Sequence, residues 1–177
     1  ILDGNKWGNG EKEFIPLYEA KMFRPYDHRH GSAFTNESVW FQQGHTAETT
    51  PVKHQNPEHQ VLPRWWTDAN NVAAMYREMP ALIVFRNIAR STDTRTFLPC
   101  FIPTVGVINS APICRFDDQI GWRRRCCFLA ALYSFVVDFV TRNKLAGTNL
   151  NFFIVEQLPI LPPDTYAKPC TWEPGTT

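Results

Sequence analysis

The sequence predicts an α+β fold in which short, mostly antiparallel strands pack against a long C-terminal core helix. Three observations predict it. Between positions 126 and 140, apolar residues at Cys126, Leu129, Leu132, Tyr133, Val136 and Val140 recur at the spacing of one helical face, while Ser134, Asp138, Thr141 and Arg142 stripe the opposite side. Two compact apolar stretches, 81–88 and 95–102, flank a run of turn-forming residues and read as a β-hairpin. A length of 177 residues with 44% hydrophobic content, six Trp and thirteen Phe among them, suffices for one globular core.

Taken in order, residues 1–12 are rich in Gly, Asn and charge and form an entry loop. A first strand covers 14–23, where Pro16 calls for an edge or a strand start. Arg24, His28, Arg29 and His30 then crowd the strand exit into a local cationic patch. Residues 31–60 are polar, poor in aliphatics and aperiodic, which predicts a long loop. Trp65 and Trp66 suit core packing better than base stacking, and Asp68 caps a helix over 69–79 that Pro80 ends. In the hairpin, Leu82, Val84, Arg86 and Ile88 share a face, so Arg86 sits in an apolar row; Pro99 and Pro103 place the second strand near an edge. Short strands over 105–108 and 113–116 flank the turn at Asn109 and Ser110. The long helix spans 122–145, and Gly147 stands where a left-handed residue would end it. Residues 148–163 read as a docking tail and close a domain over 1–163; 164–177, dominated by Pro, Thr and Gly, are a C-terminal tail.

Composition excludes some classes and leaves others open. Eighteen Lys and Arg against seventeen Asp and Glu give a net charge of +1, so a nucleic-acid face would have to come from uneven distribution. The five cysteines, at 100, 114, 126, 127 and 170, include no CxxC pair and read as reduced thiols of a cytoplasmic protein. A membrane span needs about 20 apolar residues, and the 126–140 run meets Asp138 and the Arg123–Arg125 cluster first, so no membrane is expected. The chain opens on Ile1 without a Met, as if cut from something longer.

Three stretches carry a resemblance. They are Phe14-Ile15-Pro16-Leu17-Tyr18-Glu19-Ala20-Lys21-Met22 with Tyr26-Asp27-His28-Arg29; Phe85-Arg86-Asn87-Ile88-Ala89-Arg90-Ser91-Thr92-Asp93-Thr94-Arg95-Thr96; and Ser134-Phe135-Val136-Val137-Asp138-Phe139-Val140-Thr141-Arg142 with Gly147 to Pro159 after it. In this order they resemble the TaqI-like C-terminal specificity (target-recognition) domain of type IIG restriction-modification proteins, which are adenine-N6 DNA methyltransferases. The resemblance implies sequence-specific recognition of double-stranded DNA. It also implies an upstream methyltransferase domain in the same polypeptide, with S-adenosylmethionine and Mg as cofactors of that parent protein and none for this part.

The residues themselves agree that catalysis lies elsewhere. No glycine-rich cofactor loop is present, and Asn56-Pro57-Glu58 lacks the second proline and the aromatic residue of a base-clamping motif. No catalytic residue is therefore assigned. A metal-dependent nuclease could be built on Asp3, Glu19 and Lys21, but that spacing alone is a weak signal. His28 and His30 with Asp27 fall short of the four ligands of a structural zinc site, so no metal ligand is assigned. Arg123 to Arg125 oppose the dipole at the start of the long helix; either Asp117 and Asp118 or a phosphate compensates them. The DNA-binding candidates are Arg24, His28 and Arg29 after the first strand, Lys53 and His54 in the polar stretch, and Arg86, Arg90 and Arg95 around the hairpin, where an arginine can grip guanine through two hydrogen bonds. For Arg86 and Arg95 a bracing role, paired with carboxylates such as Asp93, stands beside the reading role. The alternative function is an interaction module that docks the catalytic part of the same polypeptide.

Overall fold

The computed structural model describes residues 2–3, 6–8, 10–34, 45–76, 79–169 and 171–173, without the side chains of residues 2 and 3. The fold is α+β, and the chain divides into two compact units: Ile1–Ile88 with Leu98–Cys114, and Ala89–Phe97 with Arg115–Thr177.

The first unit holds the strands. β1 (Leu2–Asp3), β2 (Lys6–Gly8) and β3 (Glu13–Tyr18) form an antiparallel meander. β3 leads into a 3-10 turn, Ala20–Met22, then into β4 (Gly31–Ala33), which pairs antiparallel with β5 (Thr46–Glu48). Helix α1 (Pro51–Gln55) starts at Thr50, whose hydroxyl accepts the Lys53 N–H. The described part of 31–60 thus carries two strands and a helix where a loop was expected, and positions 35–44 of that stretch lie outside the described residues. β6 (Trp65–Asp68) pairs antiparallel with β3, so the two tryptophans and Asp68 are strand residues; the Asp68 carboxylate still accepts the Asn70 N–H at the start of α2 (Ala69–Tyr76). Positions 77–78 of the expected 69–79 helix lie outside the described residues.

β7 (Ala81–Phe85) is the centre of a second antiparallel sheet, flanked by β8 (Pro99–Pro103) and, beyond β9 (Gly106–Val107), by β10 (Ile113–Cys114). The hairpin exists, but its second strand begins at Pro99 rather than at 95, and most of its connection belongs to the other unit. Leu82, Ile83, Val84 and Phe85 are all buried, as a central strand covered on both faces requires. β9 pairs in parallel with β3 on the edge that β2 also uses, since Leu17 faces both Gly106 and Trp65. Pro16 falls in the gap between β2 and β9, where no ladder needs its missing N–H. Gly106 is required there: a Cβ would stand 2.6 Å from Thr67 Cγ2 and 2.7 Å from Leu17 Cδ1. The core of this unit gathers around Tyr18, Met22, Phe23, Val84, Cys100 and Ile102; in the second unit Leu129, Leu132, Val137 and Leu145 are buried.

The expected single helix over 122–145 is two helices in the second unit, α3 (Trp122–Leu132) and α4 (Phe135–Lys144), bent by 59°. Ser134 explains the break: its backbone is extended at ψ 147 and its hydroxyl accepts the Val137 N–H at 3.2 Å, so it caps a new helix. Among the described residues no single helix is long and apolar enough to cross a membrane. α4 ends on Leu145 in extended conformation, and Gly147 has no positive φ, so the expected left-handed stop is absent. The polar stripe of α4 is reversed as well. Val137, Asp138 and Thr141 are buried, whereas Phe135 and Phe139 are 81% and 66% exposed.

The reason is the 89–97 segment, which is held on Asp138. The Asp138 carboxylate accepts the N–H groups of Thr96 at 2.8 Å and Phe97 at 2.9 Å. Arg142 donates to the same carboxylate at 3.3 Å and to the carbonyls of Ser91, Asp93 and Thr94. A carboxylate with so many donors can be buried, and the backbone it satisfies needs it there. Helix α5 (Phe152–Val155) comes next, with Leu150 and Leu158 buried on either side, and a 3-10 turn over Pro163–Ala167 forms within the expected tail, whose positions 170 and 174–177 lie outside the described residues. Of the three arginines at the start of α3, Arg124 pairs with Asp164 at 3.8 Å. Arg125 donates to the Ile120 carbonyl and lies over the rings of Phe116 and Trp122, while Asp117 closes its own turn on the Gln119 N–H.

Candidate nucleic-acid interface

At the exit of β3 the charged and titratable residues Arg24, Asp27, His28, Arg29 and His30 follow one another closely. After the buried pair Met22 and Phe23 the chain reverses at Arg24-Pro25-Tyr26-Asp27, with N–H to O bonds of 2.8 and 2.9 Å between Arg24 and Asp27 in both directions. Asp27 organises the residues around the turn. One carboxylate oxygen accepts the Arg29 N–H at 2.9 Å, and the other lies 3.6 Å from both His30 Nδ1 and His54 Nε2. Arg29 donates Nη1 to the carbonyls of Asn56 and His59 and Nη2 to that of His54, closing the C-terminal end of α1 where free carbonyls attract a cation.

Beside this turn lies a cavity of about 280 Å³ lined by Lys21, Arg24, His30, His45, Glu48 and Arg86, with Phe34 and Thr46 completing the wall. Three permanent cations and two imidazoles face a single carboxylate. Arg24 and His30 each approach Glu48 to 3.6 Å, and Arg86 is aimed by two bonds to the Phe23 carbonyl, 2.8 Å from Nη2 and 3.2 Å from Nε. Burial first, and then the Arg24 cation, hold the His30 imidazole below its ordinary pKa. Lys and Arg side chains and fixed donors are the groups from which proteins build phosphate contacts, and this lining gathers Lys21, Arg24 and Arg86.

A larger cavity of about 730 Å³ opens on the same unit, walled by Ile15, Pro16, Val61 and Val105 and edged by His28, Arg29, His59 and Gln60. Burial first, and then the charge of Arg29, lowers the His28 pKa, and burial likewise lowers that of His59. Burial pushes the thiols of Cys100 and Cys114 up to about 12, which keeps them protonated and unreactive.

The sequence-predicted residues thus separate. Arg24, His28, Arg29, His54 and Arg86 come together around the turn; Lys53 is exposed on α1 next to His54. Arg90 and Arg95 belong to the other unit. Arg95 donates to the Tyr133 carbonyl at 2.5 Å, stands 3.6 Å from Asp138 and lies over the Phe135 ring, so it braces the 89–97 segment through Asp138 rather than Asp93. Arg90 is exposed, and among the described residues its guanidinium enters no ion pair. Sequence reasoning missed Lys21, His45 and Glu48, which reach the cavity from separate parts of the chain in patterns that carry no periodic signal. Glu19, a nuclease candidate, is sealed in an ion pair with Arg64 at 2.9 Å. Asp3, placed in a loop by its composition, has strand backbone. Among the described residues no three His, Cys, Asp or Glu side chains converge as a metal site would need.

Compared with known proteins, the chain matches no family model, no curated protein and no solved structure.

Proposed function

We propose that this chain recognises double-stranded DNA as the target-reading part of a restriction-modification adenine methyltransferase. The observation that carries the reading is the cavity lined by Lys21, Arg24 and Arg86 with His30 and His45, a fixed receptor for a backbone phosphate beside a turn. In this reading Lys21, Arg24, His28 and the exposed Lys53 contact the duplex, Arg86 does so while tied to the Phe23 carbonyl, Arg29 holds the framework, and the resemblance supplies the wider context: methyl transfer by an upstream domain with S-adenosylmethionine, in the cytoplasm. Because this chain carries no methyltransferase motif, it should transfer no methyl group by itself. The test is titration of duplex DNA at several salt concentrations. Replacing Lys21 and Arg24 together by Ala should weaken binding on all sequences alike and flatten the salt dependence by about one ion per phosphate contact removed. Unchanged affinity and slope would refute the reading.

A second reading has its own observation. Phe135, Val136 and Phe139 on α4 and Phe153 on α5 leave apolar surface exposed in the second unit, which suits docking of a catalytic part of the same polypeptide. Serine at Phe135 and Phe139 would abolish such docking and leave DNA affinity untouched.

A further inference from the structure

Tyr26 is, among the described residues, the one non-glycine residue with positive φ, at 63°. It occupies the third position of the Arg24-Pro25-Tyr26-Asp27 turn, with proline before it, where a type II turn calls for Gly or Asn. A tyrosine there strains the backbone, because its Cβ crowds the carbonyl in the left-handed region. Burial does not repay the strain, since the side chain is 82% exposed. A strained residue persists only where its surroundings over-determine it, and here they do. The turn closes with two backbone bonds, Asp27 holds the next residues through the Arg29 N–H, Arg29 is tied to three carbonyls, and Arg86 grips the Phe23 carbonyl on the preceding side. The result is an exposed aromatic ring carried on a fixed turn, and the same turn contributes Arg24 to the cation-lined cavity.

We propose that Tyr26 is a stacking residue that inserts against a DNA base displaced from its own stack while the adjoining cavity holds a neighbouring phosphate. The inference rests on the DNA reading above and adds to it a residue that touches bases. An aromatic face accepts any base, and a ring on a fixed backbone loses little freedom on binding. This combination of a cationic groove and an aromatic platform is how proteins hold unstacked nucleotides. A base already out of the helix costs less to engage, so a duplex with one bulged thymine should bind more tightly than its fully paired counterpart.

The experiment compares the parent chain with Tyr26→Phe, Tyr26→Asn and the Lys21→Ala/Arg24→Ala pair on both duplexes, with a melting curve for each. Tyr26→Phe keeps the ring and should bind like the parent. Tyr26→Asn suits the left-handed backbone, so its melting temperature should match or exceed the parent's, while affinity for the bulged duplex falls about ten- to a hundredfold with an unchanged salt slope and the preference for the bulge disappears. If Tyr26→Asn binds both duplexes like the parent while the Lys21/Arg24 pair loses affinity, the stacking role is overturned and the DNA reading stands. A lowered melting temperature, with affinity restored once the unfolded fraction is subtracted, makes Tyr26 a packing residue and also overturns it. No binding by the parent at low salt overturns both.

Discussion

The two units set their aromatic residues in opposite ways. In the first, Lys21, Arg24 and Arg86 line an open cavity, Glu19 and Arg64 are buried only as a closed ion pair, and the large apolar residues go inside, with every residue of β7 from Leu82 to Phe85 buried. In the second, charge goes inside and aromatic surface goes outside: Asp138 is 5% exposed while Phe135, one turn before it, is 81% exposed. The difference teaches that a short segment such as 89–97, which brings buried Phe97 and backbone N–H groups that need an acceptor, can outweigh the hydrophobic pattern of the helix it packs on. An unpaired buried N–H costs about 1 to 3 kcal/mol, comparable with burying one whole apolar side chain.

That contrast can be broken first at Asp138. Asp138→Ala removes the acceptor of two buried N–H groups and leaves Arg95 and Arg142 without their carboxylate, so it should destabilise the second unit by about 3 to 5 kcal/mol, read as a shift in the urea midpoint. A loss under about 1 kcal/mol would mean that Asp138 is not the node. Leu132→Asp should be comparably disruptive, because Leu132 is fully buried on α3 and an unpaired charge there costs several kcal/mol.

A smaller effect should separate the units by pH. All five histidines lie in the first unit, and His28, His30 and His59 are held below the ordinary imidazole pKa, chiefly by burial. With folded pKa values below the unfolded value of about 6.5, the unfolded chain takes up protons first as pH falls; the stability is present above about pH 6.5 and is lost below it. Hydrogen exchange between pH 7.5 and 5.5 should show β7 amides losing protection beyond the intrinsic change and α4 amides keeping theirs. A phosphate in the cavity would reverse the preference of His30, so DNA affinity should rise over the same fall in pH. Affinity that is flat or falling would detach His30 from the ligand.

The smallest effect belongs to the exposed aromatics. Phe139→Ser should change stability by less than about 0.5 kcal/mol, whereas Val137→Ala, two residues earlier and buried, should cost about 1 to 3 kcal/mol. If the two ranks exchange, the helix faces as its hydrophobic pattern predicts and the reversed assignment fails.

Much was legible in the chain itself. The α+β class, the first half of the strand expected over 14–23, the hairpin with its second strand shifted, the helical nature of 122–145 and the cationic patch at Arg24, His28 and Arg29 arise from periodicity, turn chemistry and composition, which act over a few residues. What only the tertiary structure decided is each matter whose partner is distant in sequence. The orientation of α4 depends on Thr96 and Phe97, some 40 residues before Asp138; the bracing roles of Arg29 and Arg95 depend on carbonyls 25 to 38 residues away; and the cavity needs His45, Glu48 and Arg86 brought to Lys21 and Arg24. Ser134 is the exception, a helix start written in the sequence but hidden by the apolar residues around it. A local pattern states which residues prefer water to oil, but a backbone N–H that must find an acceptor is the same at every position, and only the folded chain reveals which carboxylate or guanidinium it has to meet.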